Sequence, residues 1–159
     1  MLDHKPKILI SSCFLGNKVR YDGVAKPILH PQLTTWQLNQ QLIVICPEMA
    51  GGLPVPRPKA EQLNGKVIDE YGKDVSAQFV AGAKQALLLC KEHDIRYALL
   101  KEFSPSCGSG HVYDGSFKGN KITGMGVTAQ LLTEHGIKVF SELTLNELIL
   151  AVNSEPETE

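Results

Sequence analysis

Three of the four cysteines stand out for where they fall. Cys13 directly follows the apolar run ILISS, Cys46 directly follows LIVI, and Cys107 lies a few residues past YALL. As a thiolate, cysteine is both a strong nucleophile and a soft metal ligand. The three are 33 and 61 residues apart, far too widely spaced for a local zinc knuckle or a ferredoxin-type run. Only tertiary structure can bring them together. Three convergent thiolates suit zinc or an iron–sulfur cluster, and a cluster with three cysteines leaves one iron open to act as a Lewis acid.

The surroundings of these cysteines also carry chemistry. Glu48 sits two residues after Cys46 in the tripeptide CPE, as a carboxylate available for general acid–base work. Ser104 and Ser106 flank Pro105 in SPSCGSG, the bare loop on which Cys107 is expected to be reachable. Their hydroxyls either position a substrate oxygen or water or hydrogen-bond the turn. Gly108 and Gly110 allow backbone N–H groups to approach a cluster or anion. Arg20, Arg57 and Lys59 lie on loops expected to face the same edge, where they can hold an anionic or carbonyl-bearing ligand. His111 is a possible proton shuttle that its spacing does not single out. Cys90 differs from the other cysteines, because it falls on an apolar helical stripe beside Leu87 and reads as a core residue.

The elements that must position these groups follow from periodicity. Lys7–Ser12, Leu42–Ile45, Tyr97–Leu100 and Ile137–Phe140 are short β-branched or apolar runs, read as strands. Apolar residues recur at three and four over Val75–His93, including Val80 and Cys90, which predicts the longest helix. Further helices are expected at Val127–His135, stopped by Gly136, and at Leu143–Val152 after a Ser141 or Thr144 cap. Ile28–Gln41 is helical or irregular, with Pro27 and Pro31 limiting its start. Lys66–Tyr71 suggests a short hairpin arm, CPEMAGGLPVPRP an ordered loop, and SPSCGSG to Gly119 one long loop.

Strands alternating with helices imply an α/β fold, a mostly parallel sheet flanked by helices in a Rossmann-like three-layer sandwich. Ligands of such sheets bind beyond the carboxyl ends of the strands, where strand order reverses. All three cysteines are expected at that edge. Residues 1–152 are read as one domain and residues 153–159 as a flexible acidic tail.

Composition narrows the function classes. A chain of 159 residues with 43% hydrophobic and 21% charged residues can bury a sizeable core without disulfides. A net charge of −1 carries no footprint for a nucleic-acid polymer. The N-terminal apolar run is too short to span a membrane and lacks a signal-peptide pattern. A cytoplasmic location, with reduced cysteines, is therefore the expectation.

The segments ILISSCFLGNKVRYDG, CPEMAGGLPVPRPKAE and KEFSPSCGSG together resemble the thiouracil desulfurase family, over about Lys7 to Phe140. The resemblance implies an α/β fold and a [4Fe–4S] cluster held by Cys13, Cys46 and Cys107 with one open iron. It implies Glu48 and Ser104 as the catalytic pair and a small thiolated substrate such as 2-thiouracil, released as uracil and hydrosulfide without net redox change. Other readings stand beside it. One is a metal-free enzyme with Cys107 as nucleophile. Another is a non-catalytic module that senses metal or redox state. A nucleotide-binding domain ranks lowest, since no G-x-G-x-x-G follows the first strand.

Overall fold

The computed structural model describes residues 5–155. Its centre is a four-stranded, wholly parallel sheet in the order β2–β1–β5–β8, built from β1 (Ile8–Ser11), β2 (Leu42–Ile45), β5 (Tyr97–Leu99) and β8 (Lys138–Phe140). Register is continuous across it, with Leu9 opposite Ile43 and Ala98, and Ala98 opposite Val139. Alternating side chains of β1 point to opposite faces, which is why Ile8, Leu9 and Ile10 are all fully buried. Each such burial contributes roughly 2 kcal/mol.

Leu9, Ala98 and Leu100 pack against helices α3 (Ser76–Glu92) and α4 (Val127–Glu134) through Ala86, Leu87, Cys90, Ala129 and Leu132. Ile8, Ile10, Tyr97 and Leu99 pack on the other face against α1 (Pro31–Leu38) and α5 (Leu145–Asn153), through Leu33, Trp36, Leu148 and Val152. The three-layer α/β architecture is thus present. Cys90 is 2% exposed and lies in this core, as its place on the stripe predicts. Val80, assigned to the same stripe, faces solvent.

Local signals explain most boundaries. Pro31 starts α1 at a position where its missing N–H costs nothing, and the His30 ring accepts from Gln32 N. Gly136 stops α4 with φ +83°, a backbone that glycine adopts without strain. Ser141 accepts from Leu143 N and Thr144 Oγ1 accepts from Ser141 N, a reciprocal cap on the 3₁₀ turn leading into α5.

Two features depart from expectation. The stretch after SPSCGSG is not one long loop. β6 (His111–Tyr113) and β7 (Lys121–Thr123) form an antiparallel hairpin within it, and three-residue strands are too short to leave an alternating pattern. The CPEMAGG loop begins with a single helical turn, α2 (Pro47–Ala50). The expected arm is a hairpin of β3 (Ala60–Leu63) and β4 (Lys66–Asp69). Of the expected tail, Asn153 closes α5 and Glu155 contacts Tyr97 and Arg96. Residues 156–159 lie outside the described residues.

Strand order reverses at β1. The chain leaves β1 towards β2 on one side, then crosses back to place β5 on the other. Connections that diverge in this way open a crevice beyond the strand ends.

Candidate active site

The crevice is a cavity of about 170 Å³, and Cys13, Cys46 and Cys107 all line it. Cys13 sits in the 3₁₀ turn directly after β1 (Ser12–Leu15), and Cys46 caps the N-terminus of α2 directly after β2. Cys107 lies in the loop after β5. Glu48, Ser104, Arg20, Arg57 and Lys59 line the same cavity. The topology therefore assembles most of the residues singled out from the sequence.

Close backbone packing fixes the loops. A Cβ built on Gly82 of α3 would lie 1.8 Å from the Pro47 carbonyl oxygen, and one on Gly51 would lie 1.9 Å from that of Gln78. Two glycines thus let α2 sit directly on α3, which sets the depth of Cys46 and Glu48. The Cys107 loop is held by α4, whose first N–H groups have no partner within the helix. Val127 N donates to Pro105 O at 2.9 Å, and Thr128 N donates to Ser106 O at 2.8 Å. Gly126 makes the approach possible, since a Cβ there would lie 2.3 Å from the Ser106 carbonyl carbon. Gln62 Nε2, from β3, donates to both Pro105 O and Met125 O.

Cys107 is consequently not the accessible thiol that its bare loop suggests. It is 5% exposed and Cys13 is 6% exposed, while Cys46 is half-buried. The small residues around Cys107 serve close packing with α4 rather than openness. Burial pushes the Cys107 thiol well up, and Glu48, Cys46 and Cys13 add to the rise. Burial and then Cys46 push Cys13 up to about 11, while Lys101 and Arg20 oppose the shift. Cys46 is raised chiefly by burial, against a backbone hydrogen bond from Met49. Cys90 is raised to about 11 by burial alone. The first three thiols therefore feel one another and Cys90 stands apart.

That mutual repulsion bears on which group the site fits. Holding all three sulfurs as thiolates, two of them buried and Cys46 half-buried, requires a compensating cation, and soft donors select zinc or iron–sulfur. Among the described residues no three His, Cys, Asp or Glu side chains close around a single ion. Three sulfur donors on one cavity wall are, by their softness, suited to zinc or an iron–sulfur group.

Glu48 and Ser104 meet across the cavity, with Ser104 Oγ 3.4 Å from Glu48 Oε2. Arg57 has a different part from the anion contact expected of it. It is buried, with Nε donating to Glu48 Oε1 at 3.0 Å, Nη1 to Pro54 O and Nη2 to Val19 O. Val19 O also lies 3.8 Å from Cys46 Sγ. Arg20 pairs with Asp22 at 3.7 Å, and Lys59 Nζ lies 5.1 Å from the Tyr113 ring centroid.

Other expectations shift too. The amides of Gly108 and Gly110 are taken from within the chain, by Ser104 O at 2.9 Å and Glu102 Oε1 at 3.3 Å, so they form no open anion nest. Ser106 is structural, with its hydroxyl 2.8 Å from Thr128 Oγ1. His111 is exposed on β6 and does not line the cavity.

Sequence reasoning missed Lys101, Glu102, Phe103 and Tyr113, all in the wall. The first three adjoin SPSC at the end of β5, a position that topology alone would have flagged. Tyr113 arrives on the unforeseen hairpin, and no local signal announces it. Glu102 is buried and also accepts from Ser109 N at 2.6 Å, holding the start and end of the cysteine loop together. Phe103 takes a left-handed backbone, φ +68°, uncommon for a bulky side chain.

Comparisons with known proteins agree with this geometry. A solved structure of the [4Fe–4S]-dependent thiouracil desulfidase TudS superposes with a TM-score of 0.92 at 51% identity, covering 94% of this chain and 99% of the other. YbbK of Bacillus subtilis (strain 168), itself uncharacterised, is 38% identical over 152 residues, 89% of this chain and 99% of YbbK. The family model for 2-thiouracil desulfurase matches residues 8–144. That span runs from the first residue of β1 to the cap of α5 and takes in the three thiols, Glu48 and Ser104, so the chain belongs to the 2-thiouracil desulfurase family.

Proposed function

We propose that this chain hydrolytically removes sulfur from a thiolated nucleobase such as 2-thiouracil, with Cys13, Cys46 and Cys107 holding a [4Fe–4S] cluster and Glu48 and Ser104 acting on the substrate. One observation carries the reading. Three thiols from three strand ends line one cavity with a hydrogen-bonded Glu48–Ser104 pair. In the balanced reaction a thiocarbonyl and water give a carbonyl and hydrogen sulfide, released as hydrosulfide, and no electron is gained or lost.

When bound, the cluster supplies a soft Lewis acid that prefers a thiocarbonyl sulfur to a carbonyl oxygen. The remaining work falls to the chain. With Oε1 engaged by Arg57, Glu48 offers Oε2 to the cavity, where one lone pair meets the substrate and the other takes the proton of the attacking water. Ser104 orients the ring by donating its hydroxyl proton. The loop carrying Ser104 is held by Gln62 and α4, which keeps that donor in place without reorganisation.

The metal-free reading has less behind it. A nucleophilic cysteine needs a lowered pKa, whereas burial and Glu48 raise that of Cys107. No helix among the described residues is long and apolar enough to cross a membrane. Four free cysteines favour the reducing cytoplasm as the place of action. A single domain acting on a small molecule, without a nucleic-acid polymer, completes the proposal.

The test is anaerobic reconstitution followed by iron analysis and hydrosulfide release from 2-thiouracil. Cys13→Ala, Cys46→Ala and Cys107→Ala are each expected to abolish both iron retention and release, while Cys90→Ala retains both. Release by Cys107→Ala overturns the three-thiol site. Iron retention without any release in the wild-type chain favours a sensing module instead.

A further inference from the structure

The Glu48–Ser104 pair has a fixed polarity, and that polarity selects the edge of the ring it can meet. A serine hydroxyl has two acceptor lone pairs and one donor proton. Both lone pairs of Ser104 are used within its own turn, by Ser106 N and Cys107 N, each at 3.1 Å. Only the proton is left for the cavity. Glu48, as a carboxylate, offers acceptors alone, and Arg57 Nε occupies Oε1 at 3.0 Å. Only Oε2 is left for the cavity.

The pair therefore presents one donor and one acceptor, 3.4 Å apart. At present they satisfy each other through a bond longer than the usual hydroxyl–carboxylate contact. A ligand that separates them breaks little and must offer the opposite pair. We infer that Glu48 and Ser104 jointly read an imide edge, a ring N–H that donates to Glu48 Oε2 beside a carbonyl that accepts from Ser104 Oγ. This deepens the proposed function and rests on it, because it assigns the ring orientation and makes an unsubstituted imide nitrogen a condition of binding. A ring alkylated at that nitrogen leaves the Glu48 oxygen without a partner and sets a methyl group against it. Losing a hydrogen bond to a charged group costs about tenfold or more in affinity.

Binding can be read without turnover by using the sulfur-free ring. Calorimetric titration of the reconstituted protein with uracil and with 3-methyluracil is expected to show 3-methyluracil binding at least tenfold more weakly. Glu48→Gln supplies the second measurement. Arg57 has only donors to offer, so the amide oxygen takes the Oε1 place and the NH₂ group replaces the acceptor at Oε2. Uracil binding should then weaken and its advantage over 3-methyluracil should close. Equal affinity for the two rings in the wild-type protein overturns the assignment, as does an undiminished gap in Glu48→Gln. Wild-type protein that releases no hydrosulfide from 2-thiouracil overturns the proposed function instead, so the two failures are separable.

Discussion

Arg57 and Glu48 form an ion pair in which one carboxylate oxygen is held at 3.0 Å and the other is left for the cavity. The Arg57 side chain is 4% exposed, and its other two nitrogens each donate to a backbone carbonyl, Nη1 to Pro54 O and Nη2 to Val19 O. Arginine suits this task because its planar fork fixes three directions at once, while lysine supplies only a compact charge. Arg57→Lys should keep the net charge and lose the aim. The expected result is a fall in kcat of about tenfold or more, with iron content and the visible spectrum of the reconstituted protein unchanged. A kcat within twofold of wild type would show that Glu48 holds its rotamer without this clamp.

Gly82 makes a different kind of prediction, because it acts through the backbone. The added methyl of Gly82→Ala would lie 1.8 Å from the Pro47 oxygen and 2.7 Å from the Pro47 carbonyl carbon. Neither atom is the end of a flexible side chain, so α2 must lift from α3 and take Cys46 and Glu48 with it. Overpacking of this kind costs about 1–3 kcal/mol, and a thermal melt should drop by on the order of 5 °C. Hydrosulfide release should fall further than that loss of stability accounts for, since small displacements of catalytic groups cost about a hundredfold. An unchanged melt would mean that the two helices are less tightly seated.

Much of this site was legible because parallel α/β topology converts sequence position into spatial position. A residue at the end of an apolar run must lie at the carboxyl edge of the sheet, so the shared placement of Cys13, Cys46, Glu48 and Ser104 on one cavity is readable without strand order. What stayed hidden depends on side-chain direction and on short elements. Nothing in PVPRP announces that Arg57 is buried with a carboxylate partner, so its sequence alone points to a ligand contact. The β6–β7 hairpin has strands of three residues each, too brief for a period to show, so Tyr113 went unseen. Cys107 was expected to be exposed because its neighbours are small. Small neighbours equally permit a helix to close over it, and Gly126 allows α4 to do so.

Thiol reactivity should separate the four cysteines in cluster-free protein. Access and thiolate fraction both govern alkylation. Cys46 is half-buried, whereas Cys13, Cys107 and Cys90 are buried, and the largest cause raising each thiol is burial. Timed iodoacetamide labelling read by peptide mass spectrometry should modify Cys46 first. After anaerobic reconstitution, Cys13, Cys46 and Cys107 should be protected, with Cys90 labelled at the same slow rate as before. Protection of Cys90 in place of any of the other three would contradict the assigned ligand set.

Cys90 also supplies a pH-dependent stability term whose sign can be worked out. Its ordinary value of 9.0 rises to about 11 in the folded chain, because burial disfavours the thiolate and nothing nearby compensates. Below pH 9 both folded and unfolded chains hold the proton, and the stabilisation relative to high pH is fully present. Between pH 9 and about 11 the unfolded chain releases the proton while the folded chain retains it, so rising pH favours unfolding. The loss across that window is on the order of 2–3 kcal/mol. Cys90→Ala removes this term at the cost of a small cavity, so the variant should start less stable and lose stability more gently. Urea unfolding of the cluster-free proteins from about pH 8 to pH 10 should bring the two stability curves together. Ionisations common to the two proteins cancel in the difference. Parallel curves would mean that water reaches the Cys90 sulfur within the α3 face of the core.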